Sequence, residues 1–243
     1  MTSIKSKVVL ITGASSGIGE TTAEVLAKSG HIVLVAARRT ERLNALTQRI
    51  KQAGGTAKAY TLDVTSQDSF KAVVAEASTE FGPVDVLINN AGLMPLSPMA
   101  ALKADEWNRM IDVNVKGVLN GIESVLGVME QRGGHIINIA SIGAHRVFPT
   151  SAVYCGTKFA VRAISEGLRM ETKKVRVTTI SPGVVESELA HTTTDSETKA
   201  WLEDFRQQAL KPEAIANAID YAIAQPDDVN VDEMIIQPTQ SGS

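Results

Sequence analysis

The sequence holds one cysteine, Cys155, so the chain can form no internal disulfide and no cysteine-based zinc site. It also lacks an excess of either charge: 24 Lys and Arg stand against 27 Asp and Glu, a net charge of -3. No basic surplus is available to hold a nucleic-acid backbone or an anionic membrane, so neither is expected as a partner. Long apolar runs are missing as well. The first, Val8 to Ile11, is too short for a signal-peptide core, and none approaches the roughly 18–20 residues of a membrane-spanning helix. No linker or low-complexity stretch divides the chain. These absences lead to the expectation of a cytoplasmic globular protein with a single domain over 1–243. At 243 residues and 44% hydrophobic, the chain suffices for a substantial core.

What is present is alternation. Short apolar, β-branched runs at Val8–Ile11, Ile32–Ala36, Ala57–Val64, Val84–Ile88, His135–Ala140, Val175–Ile180 and Asp232–Ile236 read as strands. Between them lie stretches of helical period: Gly17–Lys28, Glu41–Ala53 with Thr40 as its cap, Ser66–Phe81, a long one from Lys103 to Gln131, Ser151–Thr172 and Leu210–Ala224. Gly54-Gly55, Gly82-Pro83 and Gly133-Gly134 punctuate the rhythm. Strands that are apolar throughout, each followed by a helix, imply an α/β fold: a doubly wound parallel sheet of about seven strands with helices on both faces. One segment breaks the pattern. Val185 to Lys199 is polar and aperiodic, and 185–208 is expected to be either a substrate lid or a disordered crossover loop.

The joint between the first strand and first helix is Thr12-Gly13-Ala14-Ser15-Ser16-Gly17-Ile18-Gly19. Such a turn aims backbone N–H groups and the positive helix terminus at a phosphate. Gly13 permits the turn, Gly17 lets the backbone approach closely, and Gly19 lets the helix pack near the sheet. An ATP-binding loop would continue Gly-Lys-Ser/Thr, whereas Glu20 follows Gly19. The second strand also lacks something. It ends Ala36-Ala37-Arg38-Arg39, with no carboxylate to accept from an adenosine 2′-hydroxyl, as an NAD site or a methyltransferase would place there. Two guanidinium groups instead suit a 2′-phosphate. At about 1.5–3 kcal/mol per charge-assisted bond, one or two of them favour NADP over NAD by roughly tenfold to several hundredfold. The alternative is a solvated arginine pair opening a surface helix.

Tyr154 and Lys158 lie one helical turn apart, on one face. A phenol titrates near 10 and is a poor base at neutral pH; a neighbouring ammonium favours the phenolate. Ser141 follows the fifth strand at its carboxyl end, where open α/β sheets place ligands, and its hydroxyl could polarise a carbonyl or hold an alkoxide. Either feature alone is weak; combined with the Gly-rich turn they indicate hydride chemistry at a carbonyl carbon.

Along nearly its whole length the chain resembles the short-chain dehydrogenase/reductase family. The resemblance is carried by Thr12-Gly13-x-x-x-Gly17-x-Gly19, Asn89-Asn90-Ala91-Gly92, Asn114, Ser141, Tyr154-x-x-x-Lys158 and Pro182-Gly183. It implies a single-domain Rossmann-like fold and an NADP(H) cofactor. Tyr154 is then the acid/base, Ser141 orients the carbonyl, Lys158 binds ribose and lowers the Tyr154 pKa, and Asn114 supports a proton-relaying water. It further implies that Ser15, Ser16 and Ile18 of the turn, Asp63 and Val64 beside the adenine, Asn90, Ala91, Gly92, Pro182, Gly183 and Val185 line the cofactor. Ser187 stands where the family often has threonine. Arg38-Arg39 without an acid is similar to the NADP-using members. The tail Glu233 to Ser241 is similar to the 3-hydroxy acid (serine-type) dehydrogenases and related carbonyl reductases. A homo-oligomer, tetramer or dimer, is implied by the same resemblance.

His145 is a candidate to face substrate, as are Leu93, Met94, Phe148, Val185 and Trp201 to line its pocket, with ordinary loop polarity or packing as the alternative. Cys155 reads as packing, and no metal is expected. Two other functions remain to be weighed: a catalytically idle NADP-binding sensor or scaffold, which predicts an eroded Ser/Tyr/Lys set, and a nucleotide-sugar epimerase or dehydratase, which usually carries more chain after the last motif.

Overall fold

The computed structural model describes residues 6–240, with the side chains at 201, 203–205 and 207 outside that description. Seven strands form one parallel sheet in the order β3-β2-β1-β4-β5-β6-β7. They are β1 (Val8–Thr12), β2 (Ile32–Ala37), β3 (Thr56–Thr61), β4 (Val86–Asn89), β5 (Gly134–Ile139), β6 (Val175–Pro182) and β7 (Glu233–Ile236). The helices are α1 (Gly17–Lys28), α2 (Thr40–Gln52), α3 (Gln67–Phe81), α4 (Ala104–Ile111), α5 (Gly117–Arg132), α6 (Ala152–Glu171), α7 (Ser196–Phe205) and α8 (Pro212–Ala224).

Alternate residues of each strand enter opposite layers, which is why the strands read as continuous apolar runs. Leu10, Leu34, Leu87 and Ile136 pack with Phe70 of α3, Val125 and Met129 of α5 and Val161 of α6. On the other face Val9, Ile11, Val35, Ile88 and Ile137 pack with Leu26 of α1, Leu46 of α2 and Ile219 of α8. Both layers are thus sealed by helices, and the expected doubly wound α/β arrangement is the observed one.

The chain runs outward from β1 through β2 to β3, then returns to β4 on β1's other side. The reversal leaves a crevice beyond the carboxyl ends of β1 and β4, where ligands of such sheets bind. Gly13 and Asn90 both lie at its mouth.

Several local expectations need correction. Thr40 does not cap α2: the helix starts at Thr40 itself, whose hydroxyl pairs with that of Thr61 at 3.0 Å. Ser66, by contrast, does cap its helix, accepting from the Ser69 N–H at 3.2 Å. Val84 and Asp85 precede β4, and the third strand stops at Thr61, leaving Asp63 and Val64 in the following loop. The long helix from Lys103 is interrupted by a π turn at Asp112–Lys116. Such turns insert a residue out of helical phase, and the buried Asn114 lies at the middle of this one. The largest departure is 185–208. Instead of an irregular loop it forms a 3-10 turn at Glu188–Thr192, α7, and a second 3-10 turn at Arg206–Gln208. Its two ends are tied together, Glu186 N–H donating to Leu210 O and Leu210 N–H to Val184 O, both at 2.9 Å.

Candidate active site

A cleft of about 890 Å3 runs across the carboxyl ends of the strands, within the usual range for small-molecule sites. One end is built by the Gly-rich turn. Gly13 has φ +66, and a Cβ there would lie 2.7 Å from Ala91 Cα, so a side chain would force apart two loops that touch. Thr12 and Asn90 lock this contact. The Thr12 hydroxyl accepts from the N–H groups of Asn90 and Ala91 at 3.0 and 3.1 Å, and Asn90 Nδ2 donates to Thr12 O at 2.9 Å. Gly19 lies under the turn, where a Cβ would meet Asn90 Nδ2 at 2.5 Å; its contribution is packing rather than contact with the cleft. Gly17 abuts the opposite wall, with Ser187 Cβ 3.3 Å from where its own Cβ would stand.

Ser15, Ser16 and Ile18 line the same end. No side chain caps α1, because the Ser16 hydroxyl accepts from Arg39 instead, at 2.8 Å. The first-turn N–H groups of α1 are therefore left for an anion. Arg39 also donates through Nε to Ser15 Oγ at 3.0 Å, so its guanidinium is fixed at the rim of the turn. Arg38 lines the cleft nearby and lies close enough to Asp63 to help lower that carboxyl's pKa, behind the larger effect of hydrogen bonds from Thr65. Val64, Ala91, Gly92, Pro182, Gly183 and Val185 complete the walls here.

At the other end stand Ser141, Tyr154 and Lys158. Tyr154 and Lys158 are 8% and 6% exposed, low values for groups asked to exchange protons. Lys158 Nζ donates to Ile139 O at 2.8 Å and lies 5.9 Å from the centre of the Tyr154 ring. Ser141, extended after β5, caps the 3-10 turn Ile142–Ala144, its Oγ accepting from Gly143 N–H at 3.0 Å. Burial pushes the Tyr154 phenol up to about 12, opposed by its hydrogen bond with Ser141 and reinforced by the Cys155 thiol. Burial alone brings Lys158 down to about 8. In this arrangement desolvation is the largest influence on the phenol's pKa.

Asn114 stands behind the cleft rather than in its wall. Its amide is bound on both sides by Leu93, accepting from the N–H at 2.9 Å and donating to the carbonyl at 3.0 Å, with a further bond to Thr157 at 3.1 Å. Thr157 was not a candidate from sequence, although its place in the Tyr154–Lys158 turn could have marked it.

Leu93, Met94, Phe148 and Val185 do line the cleft, together with Leu96, Ala190 and Leu202, and they make its Tyr154 end apolar. The candidate His145 is corrected. It is not part of the lining, and its Nε2 instead meets Glu233 Oε1 at 3.0 Å and Ser181 Oγ at 3.1 Å. The Trp201 side chain lies outside the described residues. No group of three potential metal ligands occurs among the described residues, and no helix among them is long and apolar enough to cross a membrane.

Polar contacts fasten the 185–208 segment beside the cleft. Thr192 accepts from Met94 N–H at 3.1 Å, and Thr193 accepts from Leu96 N–H at 3.2 Å and donates to Met94 O at 3.0 Å. Glu188 reaches across to two arginines, 2.6 Å from Arg39 and 2.6 Å from Arg42. Those bonds, from Arg42 first and Arg39 second, bring its carboxyl down to about 2. Neither Glu188 nor Arg42 was a candidate from sequence, since nothing local signals a pair so far apart in the chain.

Residues 7–198 match the sequence profile described as short chain dehydrogenase. The chain is 50% identical to an uncharacterized oxidoreductase of Staphylococcus saprophyticus, over 98% of each chain. Among solved structures it is similar to an alcohol dehydrogenase from the archaeon Thermococcus sibiricus, complexed with 5-hydroxy-NADP. That likeness has a TM-score of 0.89 at 30% identity, covering 98% of this chain and 99% of the other. It is also similar to the closed form of a serine dehydrogenase complexed with NADP+, with a TM-score of 0.87 at 32% identity over 94% and 93%.

Proposed function

This chain belongs to the short-chain dehydrogenase/reductase family and is an oxidoreductase, and from that premise we propose that it reduces small aldehydes or ketones with NADPH, or oxidises the corresponding alcohols or 3-hydroxy acids. One observation carries the reading: Ser141, Tyr154 and Lys158 converge at the apolar end of a cleft whose other end is an uncapped helix terminus flanked by Arg39. The donor set suits a dinucleotide phosphate. The α1 terminus and Ser15–Ile18 would take the pyrophosphate, Arg39 and Arg38 the 2′-phosphate, Asp63 and Val64 the adenine side, and Asn90–Gly92, Lys158 and Pro182–Ser187 the nicotinamide half. The NADP-bound neighbours support that choice.

When bound, NADPH supplies the hydride for the carbonyl carbon. Ser141 donates to the carbonyl oxygen and holds it against Tyr154. The phenol gives up its proton as negative charge develops on that oxygen; a phenol at about 12 stays protonated until an alkoxide, a stronger base, forms beside it. Lys158 stabilises the tyrosinate that remains, and Asn114 holds the Leu93 loop against the turn carrying Thr157 and Lys158. Oxidation runs the same proton transfer backwards. The walls from Leu93, Leu96, Phe148 and Leu202 exclude water and suit an apolar carbonyl flank.

The segment 185–208 acts as the lid of this single domain. We also assign a cytoplasmic location and a homo-oligomer, dimer or tetramer, the latter supported by exposed Leu119 and Val128 on α5 and Phe159 and Met170 on α6. Arg39 is fixed on the turn while Arg38 is not, so the two arginines should separate in test. Arg39→Ala is expected to raise the KM for NADPH by roughly 10–100-fold and that for NADH by less than about threefold. Arg38→Ala is expected to do less, and equal effects on both cofactors from Arg39→Ala would remove its phosphate role.

The reading as a whole is tested by an NADPH-oxidation screen over semialdehydes, 3-oxo acids and esters, diketones and aryl ketones, with serine and 3-hydroxy acids in reverse. Turnover of a simple carbonyl supports it. Tight NADPH binding with no turnover on any of them would favour a sensor.

A further inference from the structure

The lid is fastened at two places of different chemistry. Thr192 and Thr193 bond to backbone groups of Met94 and Leu96, which no cofactor phosphate replaces. Glu188 is different. Its two carboxylate oxygens are divided between two guanidinium groups, Oε2 on Arg39 and Oε1 on Arg42. Arg39 is the same side chain that Ser15 and Ser16 hold at the rim of the Gly-rich turn. One carboxylate on two cations leaves a net positive charge at that rim, and the three side chains are 40–50% exposed. Exposed ion pairs of this kind are weak and readily exchanged. A phosphate monoester carries about -1.5 to -2 charges at pH 7 and three acceptor oxygens, so it outcompetes a carboxylate for a guanidinium pair.

We propose that Glu188 tunes cofactor preference: its carboxylate, braced by Arg42, occupies Arg39 until a ribose 2′-phosphate takes that guanidinium, so that NADPH, unlike NADH, must displace it. The inference rests on the NADP reading above and adds to it a carboxylate that competes for the phosphate site from the far wall of the cleft. Discrimination between the cofactors is correspondingly smaller than two free arginines would give, since part of the phosphate's binding is spent on displacing Glu188.

The test uses the full chain and two fragments, 2′,5′-ADP and 5′-AMP, which differ by the 2′-phosphate. Binding is read by calorimetry. Glu188→Gln keeps the shape of the side chain and removes the charge. It is expected to tighten 2′,5′-ADP by about fivefold, the size of one exposed ion pair, and to leave 5′-AMP within about twofold. Unchanged or weaker 2′,5′-ADP binding by Glu188→Gln, in a wild type that prefers 2′,5′-ADP to 5′-AMP, overturns the competition by Glu188 and leaves the NADP reading standing. Equal affinity of the wild type for the two fragments overturns both.

Discussion

Tyr154→Phe is expected to lower turnover by about 10^3-fold or more, the range of a lost general acid, while NADPH binding stays within about threefold. Only one oxygen is removed. The ring keeps its packing against the apolar wall that includes Leu93, Leu96 and Leu202, and Ser141 keeps the bond it accepts from Gly143 N–H. Stability should therefore move by no more than about 1 kcal/mol, the net worth of the Ser141–Tyr154 hydrogen bond. The check pairs kcat from NADPH oxidation with a fluorescence titration of the cofactor. A variant that turns over at near the wild-type rate would remove Tyr154 from the chemistry. One that loses cofactor binding in proportion would make it a binding residue.

Lys158→Met is expected to lose activity by about 100-fold or more and yet to unfold at a higher temperature. The ammonium is buried against the Ile139 carbonyl, and burial lowers its pKa from 10.5 to about 8. Below about pH 8 both folded and unfolded chains hold the proton, and the folded chain bears the full cost of burying the charge. Between about 8 and 10.5 the unfolded chain still binds the proton that the folded one has released, so stability rises with pH across that window. Above it the cost is gone. The displacement corresponds to roughly 3 kcal/mol, from which the lost bond to Ile139 O subtracts about 1 kcal/mol. A gain of a few degrees in Tm at pH 7 follows, shrinking towards pH 10. A Tm that falls at pH 7 would show that the ammonium is no burden to the fold.

The sheet was legible because strands buried on both faces leave an unbroken apolar signature, and Val8–Ile11 or Ile32–Ala36 could hardly be read otherwise. The turn from Gly13 to Gly19, the Tyr154–Lys158 spacing and the missing acid before Arg38 are all local patterns, and the fold gathers them into one cleft. What sequence did not disclose depends on partners far along the chain. His145 is turned away by Glu233. The 185–208 segment looked irregular because its threonines answer to Met94 and Leu96 rather than to a helical period. Asn114 sat in an apparently continuous helix, and only the π turn shows why it faces Leu93. Glu188 had no local signal at all; its meaning is the pair of arginines across the cleft.

The central claim is that hydride passes to a carbonyl carbon while this chain's tyrosine manages the proton. Isotope transfer from NADPH carrying deuterium at both C4 positions to the best carbonyl of the screen, followed by mass spectrometry of the alcohol, tests it most directly. The prediction is one deuterium, bonded to carbon in the product alcohol, with NADPH consumed one for one. Product alcohol formed without deuterium at that carbon, or a rearranged product with no net loss of NADPH, would contradict it.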